Sequence, residues 1–548
     1  MRLFSCLRGF SMSRHHLLAA ALFTFSLGIC AGVQAQTTEY HLTIAHEAVN
    51  LTGDPVEKVT VNGAIPGPVL RFRNGDDAVI AVTNRMAVPT SIHWHGLLLP
   101  GAMDGVAGLN GYQDIPPGET FTYRFKLRQT GTYWYHAHTK GQEQDGLYGA
   151  LLVDPAGRDP IRTDHDYVVV LSDFTAENSQ AIMGNLKKSS DYYNGARRTV
   201  GDFIADAEKH GLGKAWQDAS DWGAMRMSPT DLADVSGYSF LMNGKTPQQN
   251  WTGLFRPGER VRLRFINASA MSFYDIRIPG LTMTVVQADG QNVEPLKVDE
   301  FRMAVAETYD VVVTPPDDQA YSSVAEPIDR SGFALGTLAP REGMRGAPPA
   351  QRPRALLTMG DMGGMDMDDM TMTPEAMKSG WAEAGTPAGH MALKYSDLRY
   401  AGLQKDTRAA TRTIEVRLGG NMERYIWTLN GKKFEEAEPI RLIYGERVRL
   451  NFTNETMMAH PMHLHGMFVQ LENGQPAEKL PNKHTVIVPP GQSYSVLLTA
   501  DEAGEWSFHC HLLYHMMSGM MNTVVVAKLD AADMPSAAPS TKGGRHAH

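Results

Sequence analysis

Hydrophobic and polar residues alternate with period two along much of this chain. The plainest runs are "AVIAVTN" (78–84), "VRLRFIN" (261–267) and "VRLNFTN" (448–454). Alternation sends every second side chain to one face, which predicts half-buried strands. Each run closes a longer pattern that occurs three times, over residues 61–86, 242–269 and 429–456. The pattern is Asn-Gly, a stretch with proline, Gly followed by Glu or Asp, then a strand ending in Asn. Short β-rich runs between tight turns predict an all-β chain of Greek-key sandwiches. A repeat spacing of about 180 residues is too long for a solenoid and predicts three related domains. We place them at 36–157, 158–336 and 409–530.

Two segments break the strand pattern. Residues 178–236 are polar and partly helical in character, and read as an insertion carried by the middle domain. Residues 337–408 are rich in Gly, Pro and Met and read as a flexible linker. Within it, "MGDMGGMDMDDMTM" holds Met359, Met362, Met365, Met367, Met370 and Met372 among four aspartates. The last stretch, 531–548, reads as a disordered tail.

The N-terminus reads as a targeting segment. Arg2, Arg8 and Arg14 precede an apolar run (17–32) too short for a comfortable membrane span, and Val33-Gln34-Ala35 suits cleavage after Ala35. No membrane span is expected in the rest. The absence of a twin arginine favours the general secretory route, and a periplasmic location fits. Removing three arginines and no acid takes the formal charge from −9 to −12. That balance gives no support to nucleic-acid binding. Cleavage also removes Cys6 and Cys30, leaving Cys510 alone, so no intramolecular disulfide can form. A metal bond would protect such a thiol in an oxidising compartment.

Histidine carries the chemistry. A strand presents residues i and i+2 to one side, so His-X-His offers two imidazoles to one place. With 20 histidines in 548 residues, about one such pair is expected by chance. There are five: His93/His95, His136/His138, His463/His465, His509/His511 and His546/His548. The last sits in the Gly-rich tail and is read as chain with loose metal affinity at most. The other four lie two in each terminal domain, and the middle domain has none. On a strand, Cys510 would face away from His509 and His511, so one strand would serve two metal centres. Thiolate, two imidazoles and a long thioether bond make an electron-transfer copper site. Cys510, His515 and Met520 supply three such donors and His460 is the natural fourth. Zinc, which favours closed sets often rich in cysteine, fits less well.

The motifs "HWHG", "HAHT", "HPMHLHG" and "HCHLLYHMMSGM" resemble, in type, order and spacing, the four copper motifs of the multicopper oxidases. Longer stretches, "TSIHWHGLLLPGAMDGV", "GTYWYHAHTKGQEQDGLYG" and "ERYIWTLNGKKF", are similar to the copper-resistance branch of that family. The resemblance implies three consecutive cupredoxin domains and four coppers. It assigns type 1 copper to His460, Cys510, His515 and Met520, type 2 to His93 and His463, and the type 3 pair to His95, His136, His138, His465, His509 and His511. It implies four-electron reduction of dioxygen to water, with Asp104 in "MDG" as a proton relay or, equally, a turn residue. Some members carry a second acid just after the last ligand histidine. Met516 and Met517 stand there, and Asp145 is a weak substitute.

Substrate is less legible. Thioethers select cuprous ion, so the Met-rich segment favours a cuprous oxidase in copper resistance. Met225, Met227, Met457, Met458, Met516, Met517 and Met521 would add sites or only pack. Laccase-like oxidation of phenols, and copper sequestration without turnover, are the alternatives; a two-domain nitrite reductase ranks low because it lacks the paired motifs. Other periplasmic copper-resistance proteins are candidate partners.

Overall fold

A computed structural model describes residues 36–194, 199–224, 233–352, 386–387 and 389–528. The targeting segment, Met225, Met227, Met359 to Met372, and the His546/His548 pair lie outside the described residues.

The three repeats fold as three β-sandwiches, each of two sheets. In the first, one sheet has the order Val56–Val61, Thr37–Val49, Asp77–Asn84, Thr120–Lys126. Its partner sheet runs Gly67–Arg73, Tyr148–Asp154, Gly131–His136, His93–His95. The second and third repeats each pair a six-stranded with a five-stranded sheet. In all three, the first strand runs parallel to the alternating strand that ends in Asn: Thr37–Val49 with Asp77–Asn84, His165–Phe174 with Val261–Asn267, Arg412–Asn421 with Arg447–Asn454.

The repeated asparagines explain why the pattern recurs. Asn62, Asn243 and Asn430 each adopt φ +52°, followed by Gly63, Gly244 and Gly431 at +72° to +77°. Asn-Gly is the pair that tolerates two left-handed residues in a two-residue hairpin. Each of these side chains also bridges the first strand of its repeat. Asn62 takes Thr43 N–H and gives to His41 O, Asn243 takes Val170 and gives to Val168, and Asn430 takes Arg417 and gives to Glu415. The strand-ending asparagines are equivalent too. Asn84, Asn267 and Asn454 are buried, and each accepts from the backbone N–H two residues on while donating to carbonyls across the next turn. A buried amide that satisfies three or four backbone groups is costly to replace.

Over the stretch read as an insertion, the described residues form helices Ser179–Lys188, Val200–His210 and Leu212–Ala224. The linker reading, 337–408, needs correction. Ala334–Ala339 is a strand in the second repeat's five-stranded sheet, so the sheet runs past residue 337. At the other end Leu393 and Leu398 are buried, and Tyr395 donates to Glu307 at 2.6 Å. Gly and Pro content predicted a free chain; a few apolar anchors were enough to pack both ends. Met457 and Met458 are core residues, which favours packing over substrate contact for both.

Candidate metal centres

The histidine pairs gather where sheets of the first and third repeats meet. Register pairs His93 with His136 on one sheet and His463 with His509 on the other. Alternation alone would keep both members of a pair on a strand. The structure does so for His93 and His95; His138, His465 and His511 fall just beyond strands ending at His136, Leu464 and Cys510. Backbone bonds still fix two of them, His465 N–H to Ser507 O (3.0 Å) and His511 N–H to Pro461 O (2.7 Å). His93 stacks on His465 and His95 on His463, with ring centroids 3.7 and 3.8 Å apart. Among the described residues, four histidine triads have donor atoms within 4.8 Å of one another: His93/His463/His465, His95/His136/His511, His138/His465/His509 and His95/His463/His484.

The outer nitrogens show what the inner ones are for. Nδ1 of His93, His136, His463 and His509 faces the carbonyl of Asp104, Ala137, His484 and Cys510 at 2.7–3.0 Å. A carbonyl only accepts, so each Nδ1 carries the proton and each Nε2 a lone pair. His465 Nδ1 likewise donates to Asp104 Oδ2 at 2.8 Å. Turned inward, Nε2 of His93, His136, His138, His463 and His511 is buried and meets no protein partner. Nε2 of His465 and of His509 stand 3.1 Å apart. Two lone pairs at that distance repel unless a cation lies between them. Burial first, and neighbouring imidazoles second, hold His95, His136, His138, His463 and His465 well below the ordinary histidine pKa. His509 is pushed down to about 4, chiefly by burial. Neutral, inward-facing imidazoles with no other partner fit metal.

The thiol site repeats the logic. His460 Nε2 faces the Thr456 hydroxyl oxygen at 2.7 Å and His515 Nε2 faces Asp234 Oδ2 at 2.6 Å. Their Nδ1 atoms are then free for coordination. They lie 3.1 Å apart and 3.5 and 3.8 Å from Cys510 Sγ. Burial pushes the Cys510 thiol pKa well up, so a thiolate there needs a bound cation. Met520 is buried and its backbone brackets the site, with its N–H to His515 O and its O to Cys510 N–H. Trp427 stacks on His515 at 3.9 Å.

With this geometry in place, comparison decides the family. Family models described as multicopper oxidase match residues 43–158, 165–340 and 407–530, well over half the chain. The chain belongs to the multicopper oxidase family. Copper resistance protein A of Escherichia coli is 45% identical over 91% of this chain and 94% of its own length. A homologue of that protein in Pseudomonas syringae pv. tomato is also 45% identical, over 89% of this chain and 92% of its own. The crystal structure of Fet3p, a multicopper oxidase that functions in iron import, superposes with a TM-score of 0.68 at 20% identity, covering 90% of each chain. At that identity the likeness speaks for the cupredoxin fold alone. The protein is therefore an oxidoreductase that uses copper, and the donor chemistry above suits that metal.

The multicopper oxidase site contains three residues that sequence reasoning missed. Glu143 is buried, with Oε2 2.7 Å from His136 Nδ1 and Oε1 4.0 Å from His511 Nδ1. Burial, with the charge of Asp173 added, pushes its carboxyl pKa well up. It mirrors Asp104, whose carboxylate lies 3.4 Å from His93 Nδ1 and 2.8 Å from His465 Nδ1 while its N–H caps the turn from Gly101. Asp104 thus closes a turn and stands beside the histidines at once. Asp145, the substitute acid, accepts from Ser179 N–H and Oγ–H at 2.9 and 2.6 Å and pairs with Lys58. The acid beside the histidines is two residues earlier, within "GQEQDG", the signal that could have found it. Asp234 carries no signal, since 281 residues separate it from His515. His484 is buried beside His95, ring centroids 4.7 Å apart, and stands outside every His-X-His pair.

Proposed function

We propose that this protein is a periplasmic cuprous oxidase that reduces dioxygen to water and so detoxifies copper. In this reading His460, Cys510, His515 and Met520 hold type 1 copper, His93 and His463 hold type 2, and His95, His136, His138, His465, His509 and His511 hold the type 3 pair. Bound copper supplies one-electron redox steps and stores the four electrons that dioxygen needs. The chain's residues do the rest. The observation that carries the reading is the covalent run His509-Cys510-His511, which ties the thiol donor set to the imidazole cluster through one backbone. Carbonyls and carboxylates fix each imidazole's tautomer. Asp104, touching His93 and His465, is the group placed to pass protons.

Cuprous ion is favoured as substrate by two features. Asp234 sets a carboxylate 2.6 Å from the outer nitrogen of His515, a negative group that would favour a cation as electron donor. Six methionines within 359–372 supply soft ligands. The 45% identity to copper resistance protein A points the same way. Among the described residues no helix is long and apolar enough to cross a membrane.

Deleting residues 359–372 should raise KM for cuprous ion more than KM for a bulky phenol; equal effects would favour a laccase-like oxidase. Oxygen consumption by the copper-loaded chain separates turnover from sequestration, and none would contradict the proposal.

A further inference from the structure

The second repeat supplies no donor, yet one of its turns reaches the cluster. Asp289 and Gly290 join strands Met283–Ala288 and Gln291–Val298, at φ +47° and +72°. Gly290 lies against Tyr133 and Gly131 of the strand that leads to His136, and a Cβ on Gly290 would collide with the Tyr133 ring. On the other side Asp289 Oδ2 accepts from His484 N–H and Thr485 N–H, both at 3.1 Å, and pairs with Lys483 Nζ at 3.1 Å. Oδ1 accepts from Thr308 N–H of its own repeat at 3.1 Å. Lys483 also pairs with Glu307 at 2.7 Å, and all three charged side chains are fully buried.

The peptide between His484 and Thr485 is a rigid plane. Its N–H points to Asp289, and its carbonyl accepts the Nδ1 proton of His463 at 2.7 Å. The same carbonyl accepts Leu464 N–H at 3.3 Å. Fixing one edge of that plane therefore fixes the other. We propose that Asp289 is a positioning residue for His463, so that the repeat without ligands sets the geometry of the type 2 site. This rests on the ligand reading given above. A buried ion pair adds little net stability against an apolar substitute, and its best-attested use is to select one arrangement. Here the arrangement selected is the docking of the second repeat's turn on the Lys483–Thr485 segment.

The test uses the full copper-loaded chain with Asp289→Ala and Asp289→Asn. Partners that orient metal-bound histidines typically change metal affinity by about 10-fold or more when removed. We expect Asp289→Ala to lose type 2 copper to a chelator about 10-fold faster than wild type and to shift the type 2 hyperfine splitting in electron paramagnetic resonance. The blue thiolate band, which reports the His460/Cys510/His515 site, should stay unchanged. Asp289→Asn keeps an oxygen for both N–H groups and should fall between, so it serves if the alanine variant does not fold. Wild-type splitting and extraction rate in both variants would overturn the inference. So would type 1 and type 2 signals declining together, which is general destabilisation. A wild-type chain with no type 2 signal would overturn the ligand reading itself.

Discussion

His515 is stacked on one face by the Trp427 ring and held at its outer Nε2 by Asp234. In the proposed cuprous-oxidase reading, the second contact is the one that would attract a cation. Asp234 Oδ2 also accepts from Tyr425 O–H at 2.8 Å, so the carboxylate is fixed rather than free to swing. Asp234→Asn keeps a hydrogen-bond acceptor and removes the charge. We expect KM for cuprous ion to rise about 10-fold with a smaller change in kcat, measured by steady-state oxygen uptake. An unchanged KM would remove Asp234 from the substrate site. The contrast between ligands and their partners is instructive. The proposed ligands were readable because His-X-His and His-Cys-His are local. Asp234 was not, because a carboxylate 281 residues from the imidazole it meets leaves no spacing to read.

At the scale of elements, the asparagine that closes each alternating strand ties fold to site. Asn454 donates to Met458 O and Val488 O and accepts from the Thr456 hydroxyl at 2.8 Å, whose oxygen faces His460 Nε2. Asn454→Ala leaves several buried backbone groups without partners, at about 1–3 kcal/mol each. It should lower the melting temperature and shift the blue band; calorimetry and absorption check the two together. The second repeat contains a different device. Asp275 lies buried between Arg302 (2.7 Å) and Arg330 (2.6 Å). Burial alone would raise its pKa, but the two guanidinium groups outweigh it and hold the carboxyl at about 2. A depressed carboxylate stabilises the fold above its unfolded pKa of about 3.9 and loses that share as pH falls towards 2. Asp275→Asn should cost about 3–5 kcal/mol at neutral pH, because it strands buried charge, and should flatten the acid limb of a stability curve. The turns behind these elements were legible as Asn-Gly. The linker ends were not, because composition does not reveal where Leu393, Tyr395 and Leu398 dock.

For the whole molecule, three repeats and their order could be read from the chain, and the division of histidines between the outer two already implied that they meet. How they meet could not be read. Asp104 of the first repeat holds His465 of the third, and Asp289 of the second holds the segment beside His463. Such contacts depend on three-dimensional docking that period-two patterning does not encode. We propose that this docking builds a three-copper cluster joined to the thiolate copper site of the third repeat. An absorption spectrum with metal quantification on the wild-type chain and Cys510→Ser tests it most directly. We expect about four coppers per wild-type chain and an intense blue thiolate band, with the band lost and about three coppers kept in Cys510→Ser. Bound zinc with no blue band, or a band that survives the substitution, would contradict it.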